Sequence, residues 1–136
     1  DDPDSSDNEA FDPLFFGFTR GFGTWFQGEI AGNFTGPFNT NSDIWHGALY
    51  LHPTPEVRVG ALWFDFTLDE PGSRTRNGLS SDDWGTEFNL FAEIPISENM
   101  FVSPLYSRFE PGDAAEEQFG TDKTNHYFQV VAVLNF

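Results

Sequence analysis

The chain has 136 residues, with 22 Asp+Glu against 6 Lys+Arg, and it carries 17 Phe, 4 Trp and 3 Tyr. A net charge of −16 leaves no basic face for phosphate, so nucleic acid is excluded as a partner. The absence of cysteine excludes a disulfide framework, a Cys-ligated metal and a Cys nucleophile, and no run approaches the ~18 apolar residues of a transmembrane helix.

Residues 1–10, DDPDSSDNEA, are acidic and polar and read as an outer loop or a flexible end. The abrupt start is expected of a mature form or of a piece of something longer. Residues 11–136 read as a transmembrane β-barrel segment. Its first part, FDPLFFGFTRGFG at 11–23, fits a short strand or an aromatic loop folded into a lumen.

From residue 24 the hydropathy alternates with the period of two that a half-buried strand requires. The stretch 24–34 sets Phe26, Ile30 and Phe34 against Trp25, Gln27, Glu29 and Asn33. Residues 43–51 set Trp45, Leu49 and Leu51 against His46, Ala48 and Tyr50. In 56–68, Leu62, Phe64, Phe66 and Leu68 alternate with Ala61, Trp63, Asp65 and Thr67. In 85–94, Phe88, Leu90, Ala92 and Ile94 alternate with Glu87, Asn89, Phe91 and Glu93. The stretch 100–109 places Phe101, Leu105 and Phe109 opposite Tyr106 and Arg108, with Pro104 inside it. The last strand, 126–136, places Phe128, Val130, Ala132, Leu134 and Phe136 opposite Tyr127 and Gln129. Each stretch is close to the ~9–11 residues a tilted strand needs to cross a bilayer.

The connections alternate between short ones, at 52–56 and 95–99, and long ones, at 69–84 and 110–125. Of the 22 acids, 15 fall in 1–12, 69–84 and 110–122. Short turns on one side and long, acidic loops on the other are the habit of outer-membrane barrels. The predicted fold is therefore all-β, an antiparallel transmembrane β-barrel segment of six or seven strands. Phe128, Val130, Ala132, Leu134 and Phe136 are its expected membrane-insertion signal, facing lipid and ending on an interfacial aromatic.

With the apolar set of every strand turned to lipid, the lumen receives Gln27, Glu29, Asn33, Tyr50, Trp63, Asp65, Glu87, Asn89, Glu93, Tyr106, Arg108, Tyr127 and Gln129. Such groups set charge selectivity in a pore, and here they read as an acidic wall with Arg108 the one clear base. Glu87, Glu93 and Asp65 are the carboxylates a glycosidase reading would use. Ser103, Ser107 and His126 are the cross-strand neighbours an outer-membrane hydrolase reading would use. His46, His52 and His126 lack metal-ligand spacing, and DDPDSSDNEAFD lacks the glycine and terminal glutamate of an EF-hand loop. No enzyme, cofactor or metal site is expected, beyond weak divalent binding by acidic loops.

Several stretches resemble one family. FDPLFFGFTRGFGTWFQGEIAGNF, NTNSDIWHGALYLHPTPEVRVGALWFDFTLDEP, GTEFNLFAEIPISENMFVSPLYS and EPGDAAEEQFGTDKT are similar to the C-terminal part of the alginate-export outer-membrane porins. The resemblance covers about residues 9–136, and WFQGEIAG, LHPTPEVRVGALWFDF and PGDAAEEQFG are its more specific phrases. It implies a single-chain barrel of about 18 strands in the outer membrane of a Gram-negative bacterium. The implied partners are outer-membrane lipid and lipopolysaccharide, the barrel-assembly machinery, and the polysaccharide or small solutes that pass. The family's exporters are expected to present an Arg-rich constriction, and this acidic wall departs from that, so the resemblance supports a porin more than alginate as its cargo. The remaining strands are expected from the same protein or from other copies, three copies of six strands being one arithmetic solution. The alternatives are a small anchor barrel and a soluble carbohydrate-binding β-sandwich with Phe64, Phe66, Phe88, Leu90 and Phe128 in one core.

Overall fold

The computed structural model describes residues 28–31, 42–69, 71 and 78–136. They form a single antiparallel sheet of five strands with one short helix. The strands are β1 (Asp43–Leu51), β2 (Arg58–Thr67), β3 (Asp83–Ser97), β4 (Met100–Pro111) and β5 (Asn125–Leu134), in spatial order β1-β2-β3-β4-β5. Aromatic and β-branched residues fill them, the types that suit a pleated surface. The all-β, antiparallel expectation holds, and five of the alternating stretches are strands. Among the described residues the sheet is open, because β1 pairs with β2 alone and β5 with β4 alone.

The expected strand at 24–34 differs where it is described. Gly28–Ala31 is a turn running into helical backbone, with Gly28 at φ 72°. The positive φ of Gly28 breaks the extended backbone there, and a period-two hydropathy pattern carries no signal of such a break. The readings of 1–10 and 11–23, and the candidates Gln27 and Asn33, lie outside the described residues.

The meander places its connections by length. The described parts of the two long connections, 68–69, 71 and 78–82 in one and 112–124 in the other, lie at one end of the sheet. Residues 52–57 and the Glu98–Asn99 turn lie at the other, where Asn135 N–H donates to Asn99 O at 2.9 Å and so ties down the chain's last residues. The connection after β4 contains a helix that alternation does not signal, α1 (Asp113–Phe119), bounded by Gly112 and Gly120. Asp113 and Glu116 in its first turn suit the positive end of a helix dipole. Ala114 and Ala115 are fully buried, and Phe119 meets Trp84 edge-on at 5.8 Å. The two long connections also touch. Ser80 N–H donates to Glu117 Oε2 at 2.8 Å, and its hydroxyl bonds the same carboxylate.

Candidate functional site

Directly opposed residues in an antiparallel pair point to the same side of the sheet, so the register assigns every side chain to a face. Glu87 opposes Phe64 and Phe109, Asn89 opposes Leu62 and Ser107, and Phe91 opposes Gly60 and Leu105. His46, Ala48 and Tyr50 extend these rows onto β1, and Asn125, Tyr127 and Gln129 extend them onto β5. This is the covered face. Leu62, Phe64, Phe66, Phe91, Leu105 and Phe109 are buried on it, together with Glu87, Asn89, Ser103 and Ser107.

The opposite face is open and mostly apolar. One row across all five strands reads Leu51, Val59, Ala92, Pro104, Val130, and the next reads Leu49, Ala61, Leu90, Tyr106, Phe128. Trp45 is 73% exposed, Phe128 69% and Leu90 45%, so large hydrophobics face outward from edge to edge. Toward the long connections the character changes. Trp63, Phe88, Arg108 and His126 form the next row, and Trp45, Asp65, Thr86 and Glu110 the one beyond it. Arg108 pairs with Glu110, and Tyr106 Oη lies 2.8 Å from His126 Nδ1.

The thirteen lumen candidates therefore do not share one face. Tyr50, Glu87, Asn89, Glu93, Tyr127 and Gln129 fall together on the covered face. Trp63, Asp65, Tyr106 and Arg108 fall on the open one, because the register sets Trp63 opposite Phe88 and Arg108 opposite Phe88. Glu29 reaches the covered face from the Gly28–Ala31 turn. Of the insertion-signal residues, Phe128, Val130, Ala132 and Leu134 lie exposed on the open face, and Phe136 follows β5, fully exposed. The proposed sandwich core is split, with Phe64 and Phe66 on one side and Phe88, Leu90 and Phe128 on the other. Ser103 and Ser107 lie on the opposite side of the sheet from His126, so they assemble no triad. Glu87 and Glu93, six residues apart on one strand, are separated by roughly 20 Å at ~3.3 Å per residue, beyond the ~5–10 Å of a glycosidase pair.

Glu87 is the centre of the covered face. It is 1% exposed, and its carboxylate accepts three consecutive backbone N–H groups. Glu29 N donates to Oε1 at 2.5 Å, Ile30 N to Oε1 at 2.9 Å and Ala31 N to Oε2 at 2.7 Å. The Asn89 side chain hydrogen-bonds it as well. Such a ring of donors offsets the cost of burying a charge. Ile30 and Ala31 join Leu62, Phe64, Phe66 and Phe109 in the apolar cluster around it. His46, Phe64 and Phe66 stack in sequence, at 4.9 and 5.9 Å between ring centroids.

Nearer the short connections lies a second constellation. Arg58 bonds Glu93 Oε1 at 2.5 Å, and its guanidinium lies 5.5 Å from the Tyr50 ring and 5.7 Å from the Phe91 ring. Gly60 makes room for this stack, since a Cβ there would fall 2.3 Å from Phe91 Cε1. Arg58 is the cation of the covered face among the described residues, and hydropathy alternation does not single it out. No protein-family model, curated protein or solved structure matches this chain.

Proposed function

We propose that this chain forms part of the wall of an outer-membrane β-barrel channel that passes small polar solutes or polysaccharide. The observation that carries the reading is the open face. An apolar surface that runs unbroken across five strands needs a cover in water, and a bilayer supplies one. The aromatic and charged rows on the long-connection side suit the interface that bounds a ~25 Å apolar band. The covered face, with Glu87, Asn89, Glu93, Arg58, Tyr127 and Gln129 among its aromatics, suits a lumen wall. Export of an alginate-like polymer rests on the family resemblance alone.

Strand direction limits how such a wall closes. With five strands in a meander, β1 and β5 run the same way. Joining β5 of one copy to β1 of the next would make a parallel seam, whereas outer-membrane barrels are antiparallel throughout. An odd number of further strands between the two edges gives an antiparallel circle. Strands outside the described residues, from the same protein or from another copy, would have to supply that odd number. Both edges would otherwise leave unpaired N–H and C=O groups in lipid, at several kcal/mol each.

The test is to fold the protein in detergent and in lipid vesicles, compare heated and unheated electrophoretic mobility, and record currents in planar bilayers. A heat-modifiable species that gives discrete conductance steps supports the channel. A monodisperse protein that stays soluble without detergent and gives no current overturns it.

A further inference from the structure

We propose that Glu87 pins the Gly28–Ala31 turn against the inner wall of the channel, and that this turn is a fixed constriction in the half of the pore nearer the long connections. The inference rests on the channel reading and assigns that pore its narrowing element and the residue that positions it.

Three observations carry it. First, the contact joins segments far apart in the chain and is made by backbone. Three successive N–H groups, from Glu29, Ile30 and Ala31, converge on one carboxylate 56–58 residues away. Consecutive N–H groups that curl around an anion form a nest, and here the anion belongs to the wall. Second, the turn is built for this approach. Gly28 sits at φ 72°, and a Cβ at that position would fall 2.6 Å from Glu87 Oε2. A larger residue there would be strained and would push the carboxylate away. Third, the turn is packed as well as bonded. Ile30 and Ala31 are each 1% exposed, within the cluster that holds Phe64, Phe66 and Phe109.

The turn lies on the side of the sheet opposite the open apolar face, so whatever it occupies is taken from the lumen. Glu87 opposes Phe64 on β2 and Phe109 on β4, close to the end where the described parts of the two long connections lie. The carboxylate is consumed by its donors and does not serve as a free wall charge. Glu87 is thus a positioning residue, acting on passage through the turn it holds.

The chain contains no cysteine, so Ala31→Cys introduces a single thiol whose reaction with a small water-soluble maleimide reports release of the turn. This variant is combined with Glu87→Gln and with Glu87→Asp, and unitary conductance is recorded for each Glu87 change alone. Glu87→Asp keeps the charge and withdraws the carboxylate by one methylene. Glu87→Gln keeps the length and removes the charge. Heat-modifiable mobility verifies that each variant folds.

The expected result is a thiol protected beside Glu87 and labelled about tenfold faster beside either replacement, as local opening becomes easier. Unitary conductance should rise in both replacements. A changed ion selectivity in Glu87→Gln alone, with the thiol still protected in both, would overturn the proposal and make Glu87 a simple wall charge. A working wild-type channel whose conductance neither replacement alters, although the thiol is released, would overturn the constriction while leaving the channel reading intact. A wild-type protein that makes no channel would overturn that reading, and the constriction with it, leaving only the pinned turn.

Discussion

Trp63 and Phe88 face each other across β2 and β3 on the open side of the sheet, while their chain neighbours Phe64 and Glu87 face each other on the covered side. One step along each strand therefore separates an exposed aromatic pair from a buried carboxylate. The sheet presents two chemistries within the thickness of a single backbone.

Leu90 lies in the middle of the apolar rows and Thr86 in the polar row on the same face of the same strand. Leu90→Arg should cost about 2–4 kcal/mol of stability in lipid, and Thr86→Arg only about 0–1 kcal/mol, the depth dependence of a cation on a barrel's outer surface. Urea titration of the vesicle-folded proteins checks this. Equal effects at the two positions would argue against a bilayer over this face.

Gly60 fits beneath the Phe91 ring with no room for a methyl group. Gly60→Ala should destabilise by roughly 1–3 kcal/mol through overpacking and should displace the ring from its stack with Arg58. The shift in the unfolding midpoint measures the cost, and Gly60→Ala combined with Phe91→Leu should recover part of it.

Arg58 and Glu93 form a half-exposed ion pair on the covered face. Pairs of this kind are worth about 0–1 kcal/mol, so Glu93→Gln should scarcely change stability. It removes a negative charge and frees Arg58, so the reversal potential in a salt gradient should move away from cation preference. An unchanged reversal potential would place the pair outside the conduction path.

Hydrogen bonds from the Ser80 hydroxyl and N–H hold the Glu117 carboxyl below its usual range. A lowered folded-state pKa means that the contact contributes above the unfolded-state value and is lost as pH falls through the folded-state one. It should therefore join the two long connections at neutral pH and release them in acid. Carbon NMR of Glu117 should give a lowered pKa, and Ser80→Ala should raise it toward that of a free glutamate.

Within each strand the sequence was a good guide to which residues share a side. Phe128, Val130, Ala132 and Leu134 stand together, as do Glu87, Asn89 and Glu93. Alternation carries no information about which side of one strand matches which side of the next. That is set by register, and β2 joins β3 through residues 68–82 with a register shift at Phe66/Thr67. Phe64 and Phe66 look like lipid-facing residues by hydropathy, yet they lie beside Glu87 because the covered face is itself half apolar. The same ambiguity exchanged Tyr106 and Arg108 with Leu105 and Phe109 on β4. The Gly28–Ala31 contact had no sequence signal beyond a glycine, since nothing local couples residue 31 to residue 87. The helix after β4 is bracketed by Gly112 and Gly120 around an Ala–Glu-rich core, a cue that a search for alternation passes over.

The two-residue Glu98–Asn99 turn also bears on how the protein reaches this state. Closing a loop costs more entropy as it lengthens, and β3 and β4 are the pair joined by the shortest connection. That hairpin is the least costly pairing for the chain to begin with. To meet it, β2 must wait for residues 68–82 to close, and β5 for residues 112–124. By the same measure β1 and β2, joined by residues 52–57, form a second early hairpin. The two hairpins are then expected to join once residues 68–82 close, with β5 last to gain protection in pulsed hydrogen exchange. The Glu98–Asn99 turn, the tightest connection in the sheet, is then the position where an inserted residue should slow folding most.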